Sequence, residues 1–152
     1  MEISSVAVVT DVQLRQWEKD LPEMDDLEVL VAPWDNAAFE RAVTKGIKAL
    51  PAAQRADGNI DPAAYYRVVG DAMLRTILFG WKNFKDGGVD KPFDQATARP
   101  YLVDKTYQPF RDAVVVAAKR VQLGIKTAET ELVGNSSTSS PGSASGEVTS
   151  SA

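Results

Sequence analysis

A mainly α fold is what the 152-residue sequence predicts: a compact bundle of four to five helices with a short N-terminal β element and a disordered C-terminal tail. Three observations carry that expectation. Apolar residues recur every third or fourth position through three long segments, the spacing that gathers them on one face of a helix. One β-branched run, Leu27 to Ala32, stands between Asp26 and Pro33 and reads as a short strand. From Asn135 onward the composition turns to serine, threonine and glycine, which have little to bury. Residues 1–134 are therefore read as one helical domain and 135–152 as a tail or linker.

In chain order, Thr10-Asp11 is placed to cap a short helix through Leu14, Trp17 and Glu18 that ends before Pro22. Glu23 to Asp26 reads as a solvated acidic turn, since no second set of ligands is spaced to make it a metal site. The strand at Leu27–Ala32 needs a partner, and Ser4 to Val9 is the candidate. Asp35 or Asn36 caps the next helix, whose face is Phe39, Val43, Ile47 and Leu50 and which Pro51 ends. Pro51 to Ile60 reads as a loop. Its Asp57-Gly58-Asn59-Ile60-Asp61 fragment is not a calcium loop, because the required glycine is missing and Val68 stands where the late glutamate belongs.

Asp61-Pro62 is a capping carboxylate followed by proline at the first helical position. The helix it opens carries Tyr65, Val69, Met73 and Ile77, with Tyr66, Ala72 and Leu74 widening the stripe. Gly70 inside it points to close approach of another helix, at a propensity cost of about 1 kcal/mol relative to alanine. Asp94 caps a further segment through Tyr101 and Leu102 that Pro100 kinks or shortens. The longest helix has Pro109 in its first turn and a stripe at Phe110, Val114, Ala117, Val121, Ile125, Ala128 and Leu132, with Gly134 placed to end it. Ala117, Ala118 and Gly124 leave room for a close neighbour.

Chemistry is sparse. With neither cysteine nor histidine, the chain lacks thiolate catalysis, the commonest general base and the usual zinc ligands. A formal net charge of −4 with scattered Lys and Arg speaks against nucleic acid. No apolar run reaches membrane-spanning length, and the expected compartment is the host cytoplasm. No phosphate-binding loop or dinucleotide fingerprint is present, so no cofactor is implied. Paired carboxylates are permitted by residue type, but Asp and Glu fall mostly on the polar helix faces.

The remaining feature is the aromatic, glycine-containing stretch Phe79 to Phe93, between two helical segments. Its aromatics alternate with turn residues, and Asp86-Gly87-Gly88 provides a reversal. Trp81 and Phe84 beside Lys82 and Lys85 allow a single-strand nucleic-acid reading. Stapling of the loop to the core explains them better, and anchoring of a protein partner is the alternative. The candidate residues for staple or anchor are Trp34, Trp81, Phe84 and Phe93.

The order of these pieces resembles the tail assembly chaperones of long, non-contractile phage tails, the lambda-like group included. The matching parts are Leu27–Ala32 with Asp35-Asn36, then Gly80-Trp81, Asp86-Gly87, Pro92-Phe93 and Phe110 to Leu132. Pro100 and the apolar run near the N-terminus depart from the pattern. The resemblance implies a non-catalytic role: binding the tape measure protein and the tail tube protein during tail morphogenesis and being absent from the mature virion. Self-association stays open. A programmed frameshift near the end of the gene appends a second domain in many members of that family. Gly134-Asn135 is compatible with a slippery site, since codons GGA and AAC after a Val133 codon ending in G give G-GGA-AAC. The rival expectations are a minor tail or connector protein kept in the virion, a carboxylate-dependent hydrolase, and a host-directed binder.

Overall fold

The structure, a computed structural model, describes residues 14–138. Its first element is extended, not helical: Gln16–Glu18 forms strand β1, antiparallel to strand β2, Glu28–Val31, with Trp17 opposite Leu30. The short helix expected to reach Glu18 is therefore not formed over these residues. A stretch that short gains little from helical propagation, whereas pairing satisfies an edge of β2. The Thr10-Asp11 cap and the proposed Ser4–Val9 partner strand lie outside the described residues.

The other edge of β2 is taken by strand β3, Leu78–Lys82, also antiparallel, so the sheet order is β1-β2-β3. Val29 faces Trp81 and Leu30 faces Gly80, but Val31 pairs with Leu78, leaving Phe79 as an extra residue in a bulge. Val29 and Val31 are fully buried, while Trp17, Leu30 and Gly80 share the opposite face. A Cβ on Gly80 would stand 3.5 Å from Trp17 Cη2. The indole lies over that position with the Lys82 ammonium 4.2 Å from its ring centre.

Between the paired strands the chain is helical. Helix α1, Ala37–Lys48, is capped by Asn36, whose side chain accepts from Phe39 N. Its apolar face packs Leu50 with Val43 and Ile47 against Ala64 and Val68. The expected loop after it contains a 3-10 helix, Ala52–Gly58. Helix α2, Pro62–Thr76, opens on Asp61, which accepts from Ala64 N at 3.0 Å, with proline in its first turn. Tyr65, expected in the buried stripe, is 45% exposed; Val69, Ala72, Met73, Leu74 and Ile77 of that stripe are buried, and Ala64 and Val68 join them.

The aromatic stretch after α2 is β3 followed by a hairpin of β4, Lys85–Asp86, and β5, Val89–Asp90. Gly87 and Gly88 both have positive φ, 60° and 78°, as a two-residue hairpin turn of this kind requires. Helix α3, Gln95–Val103, is capped by Asp94 and continues through Pro100. A 3-10 turn at Lys105–Tyr107 leads into α4, Gln108–Thr138. Gly134 does not end α4, which runs four residues further.

Helix α2 packs against α1 and α3, and two glycines show how close these contacts are. A Cβ on Gly46 would come within 2.7 Å of Val68 Cγ1, and one on Gly70 would collide with the Leu102 carbonyl oxygen. The close approach expected at Gly70 is thus made by the end of α3. At Ala118 it is a loop that comes near: Trp34 N donates to the Ala118 carbonyl at 3.2 Å. The largest fully buried side chains are Met73, Ile77, Leu78, Leu102, Val29, Val31, Val114 and Val121, so both the sheet and the helices supply the core. The compact unit holding this core extends to Gln122; residues from Leu123 form a second unit containing the remainder of α4.

The mainly α bundle expected from the sequence is therefore corrected to a mixed α/β fold. Among the described residues, four α-helices accompany two small antiparallel sheets. The pairing that makes the difference joins Glu28–Val31 to Leu78–Lys82. It is non-local, and periodicity within a window has no access to it.

Candidate functional site

Three of the four aromatic candidates come together. Trp81 is 7% exposed; its ring stacks on Phe84 at 4.0 Å and meets Phe93 edge-on at 5.0 Å. Its Nε1–H donates to the Lys91 carbonyl at 2.6 Å. Phe84 is buried and also packs against Tyr101 and Phe110, linking the hairpin to α3 and α4. These side chains staple the Phe79–Phe93 stretch to the core.

The staple forms one wall of a cavity of about 320 Å³. Phe84, Tyr101, Tyr107 and Phe110 line it, and the acidic Glu23–Asp26 turn lies across from them. Asn83, at a φ of 62°, ties the two sides by donating Nδ2–H to the Asp26 carbonyl at 3.0 Å. The Tyr101 hydroxyl donates to Asp86 Oδ2 at 2.5 Å. That hydrogen bond, then burial, then the nearby negative charge push the Tyr101 pKa up to about 12.

Trp34 belongs elsewhere. It is half-buried against Phe39, ring centres 4.7 Å apart, in a cavity of about 650 Å³ lined by α1, α2 and α4. Both volumes fall in the range of ligand and side-chain pockets. The larger one has Phe39, Val43, Val69 and Val115 as apolar lining, with Glu40 and Asp112 exposed at its edge. The partly exposed Tyr65 is part of the same wall.

One charge lies inside this lining. Arg111 is 9% exposed, with its guanidinium carbon 3.6 Å from the Tyr66 ring centre. Its Nη1 donates to the Tyr66 carbonyl at 2.7 Å and the Leu102 carbonyl at 3.0 Å. Burial lowers its pKa, opposed by Tyr66 and Asp112, but an arginine so placed stays cationic. The Tyr66 hydroxyl is buried without a hydrogen-bond partner.

Sequence reasoning singled out neither Arg111 nor the Tyr66 hydroxyl. The available signal was a cation within a buried stripe, since Arg111 sits between Phe110 and Val114 on α4 and is buried with them. Gly134 and Asn135 fall within α4 as helical backbone. Among the described residues no helix is long and apolar enough to cross a membrane, and no three acidic, histidine or cysteine side chains are grouped to hold a metal ion.

No curated protein and no solved structure matches the chain. A family model described as YdaY prophage protein matches residues 34–135. That span begins at Trp34, takes in both cavities' helical walls and the whole aromatic staple, and covers well over half of the sequence. The chain belongs to the YdaY prophage protein family.

Proposed function

We propose that this prophage protein is a tail assembly chaperone, a non-catalytic binder that holds the tape measure protein and the tail tube protein soluble until the tube polymerises. The observation that carries the reading is the open cavity between α1, α2 and α4, where Trp34, Tyr65 and Val43 remain partly exposed beside buried Phe39 and Val69. A tape measure is a long, sticky helix, and an apolar trough between helices is the shape that accepts an amphipathic one. The formal charge of −4 keeps such a complex dispersed.

The motifs behind the resemblance add support. Gly80-Trp81, Asp86-Gly87 and Pro92-Phe93 close into one aromatic unit, so their order in the chain has a folding reason. On this reading the protein acts in the host cytoplasm and leaves before the virion matures, and Gly134-Asn135 marks the frameshift position.

Co-expression with the neighbouring tail tube and tape measure genes tests it. The expected result is that both proteins move into the soluble fraction with this chain bound. Equal solubility without the chain, or its recovery as a stoichiometric virion component, overturns the proposal. The latter result identifies a minor tail or connector protein.

A further inference from the structure

We infer that the cavity between α1, α2 and α4 docks a single carboxylate, a Glu or Asp side chain presented in the apolar stripe of a partner helix, with Arg111 as its donor and the Tyr66 ring, packed on the guanidinium, as the group that positions it. The inference rests on the reading above that a partner helix enters this cavity, and it names the chemistry by which that helix is selected.

Arg111 is nine-tenths buried, and among the described residues no carboxylate pairs with it; the ion pair present there is Arg99 with Asp71. Both hydrogen bonds of Arg111 leave from Nη1 toward backbone carbonyls, so its Nε and Nη2 donors have no partner among those residues. A guanidinium largely withdrawn from water is costly unless it is well paired; Asp112 lends it a nearby negative charge without a hydrogen bond, and its planar fork matches a carboxylate in two parallel hydrogen bonds. The Tyr66 ring, 3.6 Å from the guanidinium carbon, holds that fork in place, while its hydroxyl is closed off from water and from the cavity. Lys105, 5.5 Å from the Tyr66 ring centre, adds positive potential near that ring.

The rest of the lining limits what can enter. Trp34, Phe39, Val43 and Val69 favour apolar residues around the carboxylate. Glu40 and Asp112 at the edge are exposed and disfavour a ligand that is acidic throughout. The fitting occupant is a helix with one acidic residue inside an apolar stripe and neutral or basic residues outside it.

The test uses the full chain and an amphipathic peptide of about 20 residues, long enough for several helical turns, carrying one Glu in its apolar stripe, beside a twin with Gln there. Binding is followed by tryptophan fluorescence and by calorimetry. The Glu peptide is expected to bind at least about tenfold more tightly than its twin, the scale of a charge-assisted pair in a desolvated site. Tyr66→Phe keeps the ring against the guanidinium and removes a hydroxyl that makes no bond in the free protein, so it should leave that preference intact and the unfolding midpoint unchanged or higher. Arg111→Lys, which keeps the charge and loses the fork, should cut that preference several-fold. Equal affinity for both peptides, binding of neither, or a Glu preference that survives Arg111→Lys intact overturns the inference. A retained preference with no solubilisation of tail proteins refutes the chaperone reading alone; solubilisation without the preference refutes the carboxylate site alone.

Discussion

Trp81 holds the Lys91 carbonyl through its indole N–H at 2.6 Å, across ten residues of hairpin. The same ring stacks on Phe84, so one side chain fixes both the path of the hairpin and its seat on the core. Trp81→Ala is expected to cost about 3–5 kcal/mol, the range for removing a buried large aromatic. Trp81→Phe keeps a ring but strands the carbonyl, at a cost of about 1–3 kcal/mol. Urea denaturation followed by circular dichroism measures both, and equal stability of Trp81→Phe and the parent would refute the hydrogen bond's contribution.

Two helical glycines should respond to alanine with opposite signs. Helix propensity favours alanine by about 1 kcal/mol at either position. At Gly70 the new methyl would strike the Leu102 carbonyl oxygen, a backbone atom that cannot rotate away, and overpacking of that kind costs about 1–3 kcal/mol. At Gly124 an added methyl would meet nothing within 4 Å. Thermal unfolding should therefore show Gly70→Ala destabilised and Gly124→Ala unchanged or stabilised.

The helix cap at Asn36 is tied into the core more deeply than the one at Asp94. Asn36 is buried, accepts from Phe39 N at 2.7 Å and donates to the Pro33 carbonyl at 2.8 Å. Asn36→Ala loses the cap and leaves a buried carbonyl without its donor, about 2–3 kcal/mol in all. Asp94 caps α3 from an exposed position, so Asp94→Ala should cost less. Denaturation midpoints of the two variants give the comparison.

Tyr101 makes stability depend on alkaline pH. Its folded pKa, pushed up to about 12 by the bond to Asp86 and by burial, exceeds the unfolded value of 10.0. Between these values the folded state holds a proton that the unfolded state has released. The contribution is therefore complete below pH 10 and lost as pH rises toward 12. Tyrosinate absorbance should show one of the four tyrosines ionising late in the native protein, and Tyr101→Phe should remove that late step.

Local signals were written clearly in the chain. Asp61-Pro62, Asp94 and Asn36 start helices because a short polar side chain satisfies amides that a helix leaves open, and this needs only the next three residues. The stripe on α1, that on α4 from Phe110 to Val121, and the Gly87-Gly88 reversal were legible for the same reason: each is decided within a few turns of backbone. Trp34, Trp81, Phe84 and Phe93 were legible only as staple or anchor; that the last three meet and Trp34 lies apart on Phe39 needed the tertiary structure.

Tertiary contacts decided the rest. Gln16–Glu18 is a strand because β2 offers it an edge, and Leu78–Lys82 is a strand because β2, far earlier in the chain, leaves its other edge open. No window of sequence holds both partners of such a ladder, and its energy exists only after the loop between them has closed. The candidate site is of the same kind. Arg111 and Tyr66 lie 45 residues apart, and only the packing of α4 on α2 buries a cation beside a hydroxyl that has no acceptor. The sequence by itself determined where the helices capped by Asn36, Asp61 and Asp94 begin; the closing of distant segments on one another determined the sheet, the exposure of Tyr65 and the burial of Arg111.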